Sequence, residues 1–327
     1  GSWVLGLGAS AAALGFTTFL GAAGVALLRA QGAPATVLAL RLANLSLVAT
    51  VTLGVVLVAA LTGWIHLAEF GDWVSMHVTW GLAGWVGLLI PGVSYQVVPM
   101  FHVTPAYPRA LTRTLAPAVF GGLLVASVAA LAGLGTVSWL AQGTLALGLG
   151  VFSLATLALQ RRRARPRRDA TLLHWWSAMA AGAAGAIAWW VRAPDPLLGT
   201  LLLVGVGIGL PSGMLLKIVP FLCWFHLQQR QVATGRFAVR VPHMHALIAD
   251  RLARVQWVLH VAALTALTAA SVEPRLAALG GLLLVVASLV LAVLLGTAAW
   301  RYRAVRAVLA APESPTDSVG PGPGAAI

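Results

Sequence analysis

The chain has 327 residues, 60% of them hydrophobic and 9% charged, with a formal net charge of +13. Its charge content is far below the roughly 25% of a water-soluble domain, and apolar blocks recur along its whole length, which excludes a soluble enzyme. The basic residues stand in short segments between those blocks, so they orient helices in a bilayer and no nucleic-acid partner is expected. The single cysteine, Cys223, excludes an internal disulfide and any C-x-x-C redox or metal motif.

A membrane helix needs about 20 mostly apolar residues. Nine segments meet this condition: 4–28, 42–66, 73–98, 114–134, 137–159, 170–191, 197–222, 252–272 and 278–300. The stretch 114–159 is too long for one span, and Gly133 and Gly135 place a tight turn within it. The expected fold is therefore all-α, a polytopic bundle of about nine transmembrane helices in one domain over 1–311. The tail 312–327, rich in Pro, Gly and Ser, is expected to be disordered. Gly1-Ser2 resembles the scar of a cleaved tag, and no signal peptide is expected.

Charge sets the orientation. With the N-terminus outside and the C-terminus in the cytoplasm, 18 of 20 arginines fall on the inner side, including the run from Arg161 to Arg168. Only Arg192 and Arg275 fall outside, together with Glu69, Asp72, Asp195 and Glu273, while Trp64, Trp73, Trp189 and Trp190 mark the outer interface. A bacterial-type inner membrane is the expected location, with lipid as the immediate partner. Lys217, the one lysine, is expected to snorkel to the inner surface.

Two stretches resemble each other. Gly84–Pro99 reads GWVGLLIPGVSYQVVP and Gly205–Pro220 reads GVGIGLPSGMLLKIVP, with Gly84 on Gly205, Gly92 on Gly213 and the final prolines aligned. A duplicated helical unit and chance similarity of apolar segments both account for this. Pro91 and Pro211 stand at mid-span in the two copies, and helices broken at corresponding positions would suit a metal or small-solute transporter.

Ionisable side chains inside a bilayer mark functional sites, and here these are histidines. No Ser-His-Asp set, Walker loop, paired carboxylate or H-E-x-x-H motif occurs, so an enzymatic role is not favoured. His66 and His77 flank an outer loop with Glu69, and could hold a metal there. His102 beside Met100, and His243 with His245, offer imidazole and thioether ligands at the inner side, a set suited to copper(I); the alternatives are ordinary packing for Met100 and a solvated loop for the histidine pair. His174 enters the sixth helix from inside, and His260 lies well within the eighth.

The segment MHVTWGLAGWVGLLIPGVSYQVVPM resembles the second helix of the catalytic subunit of haem-copper oxidases and is similar to NnrS-like membrane haem proteins. The matching positions are His77, Gly92 and Pro99, over about 25 residues. The resemblance implies a b-type haem bound by His77, with His260 as the favoured second ligand because that superfamily supplies the partner from a late helix, serving electron transfer with a redox partner, sensing or nitric-oxide-related stress; depth alone makes His66 the other candidate. His260 lies deeper than His77 by about 8–10 Å at 1.5 Å per residue, whereas His66 matches its depth. The copper-site signatures of those oxidases, an H-x-x-x-Y helix and a His-His pair, are absent, so oxygen or nitric oxide reduction is not expected. Glycines at 81, 84, 87 and 92 would admit either a neighbouring helix or a flat macrocycle.

Overall fold

The computed structural model describes residues 2–310, so the tail expected to be disordered lies outside the described residues. Nine long helices follow one another: α1 (Ser2–Arg29), α2 (Pro34–Leu61), α3 (Phe70–His102), α4 (Arg109–Leu131), α5 (Gly135–Arg161), α6 (Ala170–Trp190), α7 (Asp195–Thr234), α8 (Asp250–Ala269) and α9 (Leu276–Ala310). One extra turn, Met244–Leu247, precedes α8, and no strand occurs among the described residues. All of these helices except α6 are long and apolar enough to cross a membrane, so the chain is a multi-pass membrane protein. The exception has a physical reason. Twelve of the 21 residues of α6 are buried, so this helix meets protein on most sides, whereas the apolar span of α1 has none of its residues buried.

Sequence signals explain several boundaries. Pro34 opens α2 at a position where its missing N–H costs nothing, and Gly63, at φ 80°, follows its end. The helix therefore covers 34–61 instead of the expected 42–66, and His66 lies in the loop. Arg41 sits inside α2 because its guanidinium donates to the carbonyl of Leu27 at 2.9 and 3.1 Å, capping the end of α1. Asp169 caps α6 by accepting from Leu172 N at 3.0 Å, and Gly235, at φ 69°, closes α7.

Consecutive helices pack antiparallel, and α3 and α7 do so in the same register. The Cβ that Gly84 lacks would meet Ser46 of α2 and Leu123 of α4; that of Gly205 would meet Ala181 of α6 and Leu264 of α8. Gly92 abuts Ala39 as Gly213 abuts His174, and Gly81 faces Thr50 as Gly185 faces Leu202. Between the two sets every α2 residue is displaced by 135 positions in α6 and every α3 residue by 121 in α7. These glycines seat neighbouring helices at close range, the use of small residues expected where lipid supplies no hydrophobic drive.

The two helices share a second feature. Each contains a π-helical stretch, Trp80–Val86 in α3 and Thr200–Ile208 in α7. Under the 121-residue displacement the first maps onto 201–207. Neither helix breaks at its proline, contrary to expectation: α3 runs through Pro91 and α7 through Pro211.

At the arginine-rich end a charged cluster ties α6, α7 and α8 together. Lys217 Nζ lies 2.7 Å from Asp169 Oδ2, with only 12% and 13% of the two side chains exposed. Lys217 therefore pairs inside the bundle and does not snorkel. Asp250 accepts from Ala170 N at 3.1 Å and from Arg254 Nε at 3.0 Å.

Candidate functional site

A cavity of about 570 Å³ lies between α3 and α7, with α4, α5 and α6 completing its wall. Both π-helical stretches line it, through Leu82, Ala83 and Val86 on one side and Leu202 and Val206 on the other. Its mouth is at the end away from the arginine-rich face, where Gly71, Ser75 and Asp195 are exposed; its floor is formed by the buried Pro91, Leu115 and Phe152. Polar groups other than Asp195 are few, namely Ser75, Thr79, Gln142 and the Trp189 indole, and no histidine or basic side chain lines the wall. The volume is that of a small-molecule site. No charged side chain lines the wall below its mouth, which suits an uncharged solute. π-helical turns recur at functional sites because they free backbone carbonyls and re-aim side chains.

Below Phe152 the bundle changes character. Phe152 stacks on Tyr107 at 6.1 Å between ring centroids, and the Tyr107 hydroxyl and Thr156 Oγ1 lie 2.9 Å apart. One turn further along α5, Gln160 Nε2 reaches His102 Nδ1 at 3.0 Å. A separate buried group joins α6 and α8: His174 Nε2 donates to Gln256 Oε1 at 2.7 Å, and the His174 and His260 rings are 5.4 Å apart.

The expected ligand residues are spread over these environments. His77 Nδ1 lies 3.0 Å from the carbonyl of Thr50, with its ring in the notch left by Gly54. It sits on the α2 side of α3, on the Gly81–Gly84 seam, and not on the cavity wall. His260 packs beside His174 and Gly209, where α8 meets α6 and α7, so the structure places it in a different helix group from His77. His66 and Glu69 are exposed in the loop before α3.

At the arginine-rich end His102 is 5% exposed and faces Gln160 and Trp175, whereas Met100 is 59% exposed, so the expected His102–Met100 pairing is not formed. His243 caps the Met244–Leu247 turn by accepting from Ala246 N, and His245 faces the cluster of Asp169, Lys217 and Asp250. Their ring centroids are 6.2 Å apart. Among the described residues, no three His, Cys, Asp or Glu side chains converge as a metal site.

Phe152, Thr156 and Gln160 escaped the sequence reading because each is unremarkable alone. Their spacing of four residues along one face of an apolar helix was the available signal. No protein-family model, curated protein or solved structure matches the chain.

Proposed function

We propose that this membrane protein takes a small uncharged solute into the cavity between α3 and α7, as a permease-type site. The observation that carries the reading is the pair of π-helical stretches, at matching positions in α3 and α7, lining one cavity. In this reading α2–α5 and α6–α9 are two copies of a four-helix unit, supported by the constant displacements of their contacts. All nine helices span the membrane, with α6 enclosed by the others. The N-terminus is outside and the C-terminus is cytoplasmic, in a bacterial-type inner membrane, as the arginine distribution supports. The cavity then faces outward. Access tests the reading: a cysteine replacing Ala146 on the wall should react with a membrane-impermeant thiol reagent from the outer side, in a chain whose Cys223 is serine. Reaction only from the inner side would contradict it.

A second reading, binding of haem b, is supported by one contact. A histidine that ligates a metal generally donates its other ring N–H to a carbonyl or carboxylate, and the Thr50 carbonyl serves His77 Nδ1 in that way, leaving Nε2 with a free lone pair. The pairing with His260 does not fit, because the two rings belong to different helix groups, and Gly81, Gly84 and Gly92 of α3 are occupied by α2. Bound haem would supply one-electron transfer. Protein from a haem-replete host would show a Soret band lost in His77→Ala if this reading holds; colourless protein without iron would remove it.

A further inference from the structure

The solute reading accounts for the cavity but not for what lies beneath its floor. Between the parallel helices α3 and α5, a buried polar column runs from Phe152 to Gln160, about 12 Å at 1.5 Å per residue. It comprises Tyr95 and His102 from α3, Thr156 and Gln160 from α5, and Tyr107, whose ring centroid is 5.4 Å from that of Tyr95. Gln160 and Thr156 are 0% exposed and His102 is 5% exposed. Three buried polar atoms in this column, Tyr95 Oη, His102 Nε2 and Gln160 Oε1, have no hydrogen-bond partner in the protein. At the lower end α5 finishes at Arg161, and Arg163 Nη1 donates to the carbonyl of Gln160 at 2.9 Å, so the column reaches the arginine-rich surface.

A buried donor or acceptor without a partner costs about 1–3 kcal/mol. Three such atoms in one buried column are the pattern that bound water satisfies, since an internal water needs two to four polar partners. An apolar core of the same shape would need none of these residues. Phe152 separates the column from the cavity, and its ring is held by stacking on Tyr107.

Resting on the outward-facing solute site proposed above, we propose that the column holds a file of water molecules and is the inner half of the solute path. Phe152 is the apolar plug between the two halves. The ligands are water and, when the plug moves, small uncharged solutes that can replace water at Tyr107, Thr156 and Gln160.

The test is millisecond hydroxyl-radical footprinting of the intact protein in proteoliposomes, in which radicals formed from bound water oxidise adjacent side chains. Tyr107 and His102 are expected to be oxidised about tenfold or more faster than Trp80 and Leu47, which are similarly buried but lie outside the column. A Thr156→Val/Gln160→Leu variant should lose most of the Tyr107 oxidation while keeping that of Val86 and Leu145 on the cavity wall. Oxidation of the wall but not of Tyr95, Tyr107 and His102 would overturn the column and leave the cavity reading standing. Oxidation of the column without the wall would do the reverse, and a dry wall with a dry column would remove both.

Discussion

Replacing Gly205 with alanine is expected to lower the stability of the protein by about 1–3 kcal/mol, the cost of overpacking a close helix contact. The new Cβ would lie 2.5 Å from the Cβ of Ala181, a rigid atom next to the backbone that has no rotamer through which to retreat. The helices α6 and α7 would have to part. Ala181→Gly should therefore rescue Gly205→Ala, and the double variant should be more stable than additivity allows by about 1 kcal/mol or more. The corresponding contact between α2 and α3 is Gly84 with Ser46, at 2.8 Å, and Ser46→Gly should rescue Gly84→Ala in the same way. Thermal unfolding in detergent measures both cycles. Strict additivity in the two cycles would show that these glycines do not seat the helices as described.

Asp169→Ala has the other large expected effect. It removes the cap of α6, worth about 1 kcal/mol, and leaves the Lys217 ammonium buried without its partner, worth about 3 kcal/mol or more. Burial pushes the Asp169 carboxyl up, but the hydrogen bond and charge of Lys217 and the Leu172 N–H hold it below its usual value of 3.8. A carboxyl depressed in the folded state stabilises above its unfolded pKa, and that stabilisation fades as pH falls through the folded value. The melting temperature of the wild type should thus decline as the medium is acidified below about pH 4. An Asp169→Leu/Lys217→Met variant, which replaces both charges with apolar groups, should lose that part of the decline. A melting temperature unchanged in Asp169→Ala would show that the pair contributes nothing.

The long apolar blocks and the alternation of arginine between them made the helical membrane class legible from sequence, because a bilayer imposes length and charge rules on each segment separately. The turn at Gly133 and the similarity of Gly84–Pro99 to Gly205–Pro220 were legible for the same local reason. What was hidden depends on partners far along the chain. Lys217 read as a snorkelling cation because its counter-charge, Asp169, is 48 residues away. His102 and Met100 looked like a ligand pair in sequence, but their positions on the helix turn one inward and the other out. Gly81, Gly84 and Gly92 fitted a flat cofactor as well as a helix until Thr50, Ser46 and Ala39 were seen against them. The cavity was the least legible feature, since alanine, valine and leucine on five helices form its wall and none is unusual where it stands.

The thiol reactivity of Ala146→Cys, in a Cys223→Ser background and in sealed vesicles of known orientation, tests the proposed solute cavity most directly. With an impermeant reagent added on the outer side, this cysteine should react about tenfold or more faster than Ala43→Cys, which is buried where α2 packs on α3. Filling the cavity with Ala83→Trp should abolish the difference. The account predicts outer-side reaction that this variant blocks; an Ala146→Cys as inert as Ala43→Cys, or one reached only from the inner side, would contradict it.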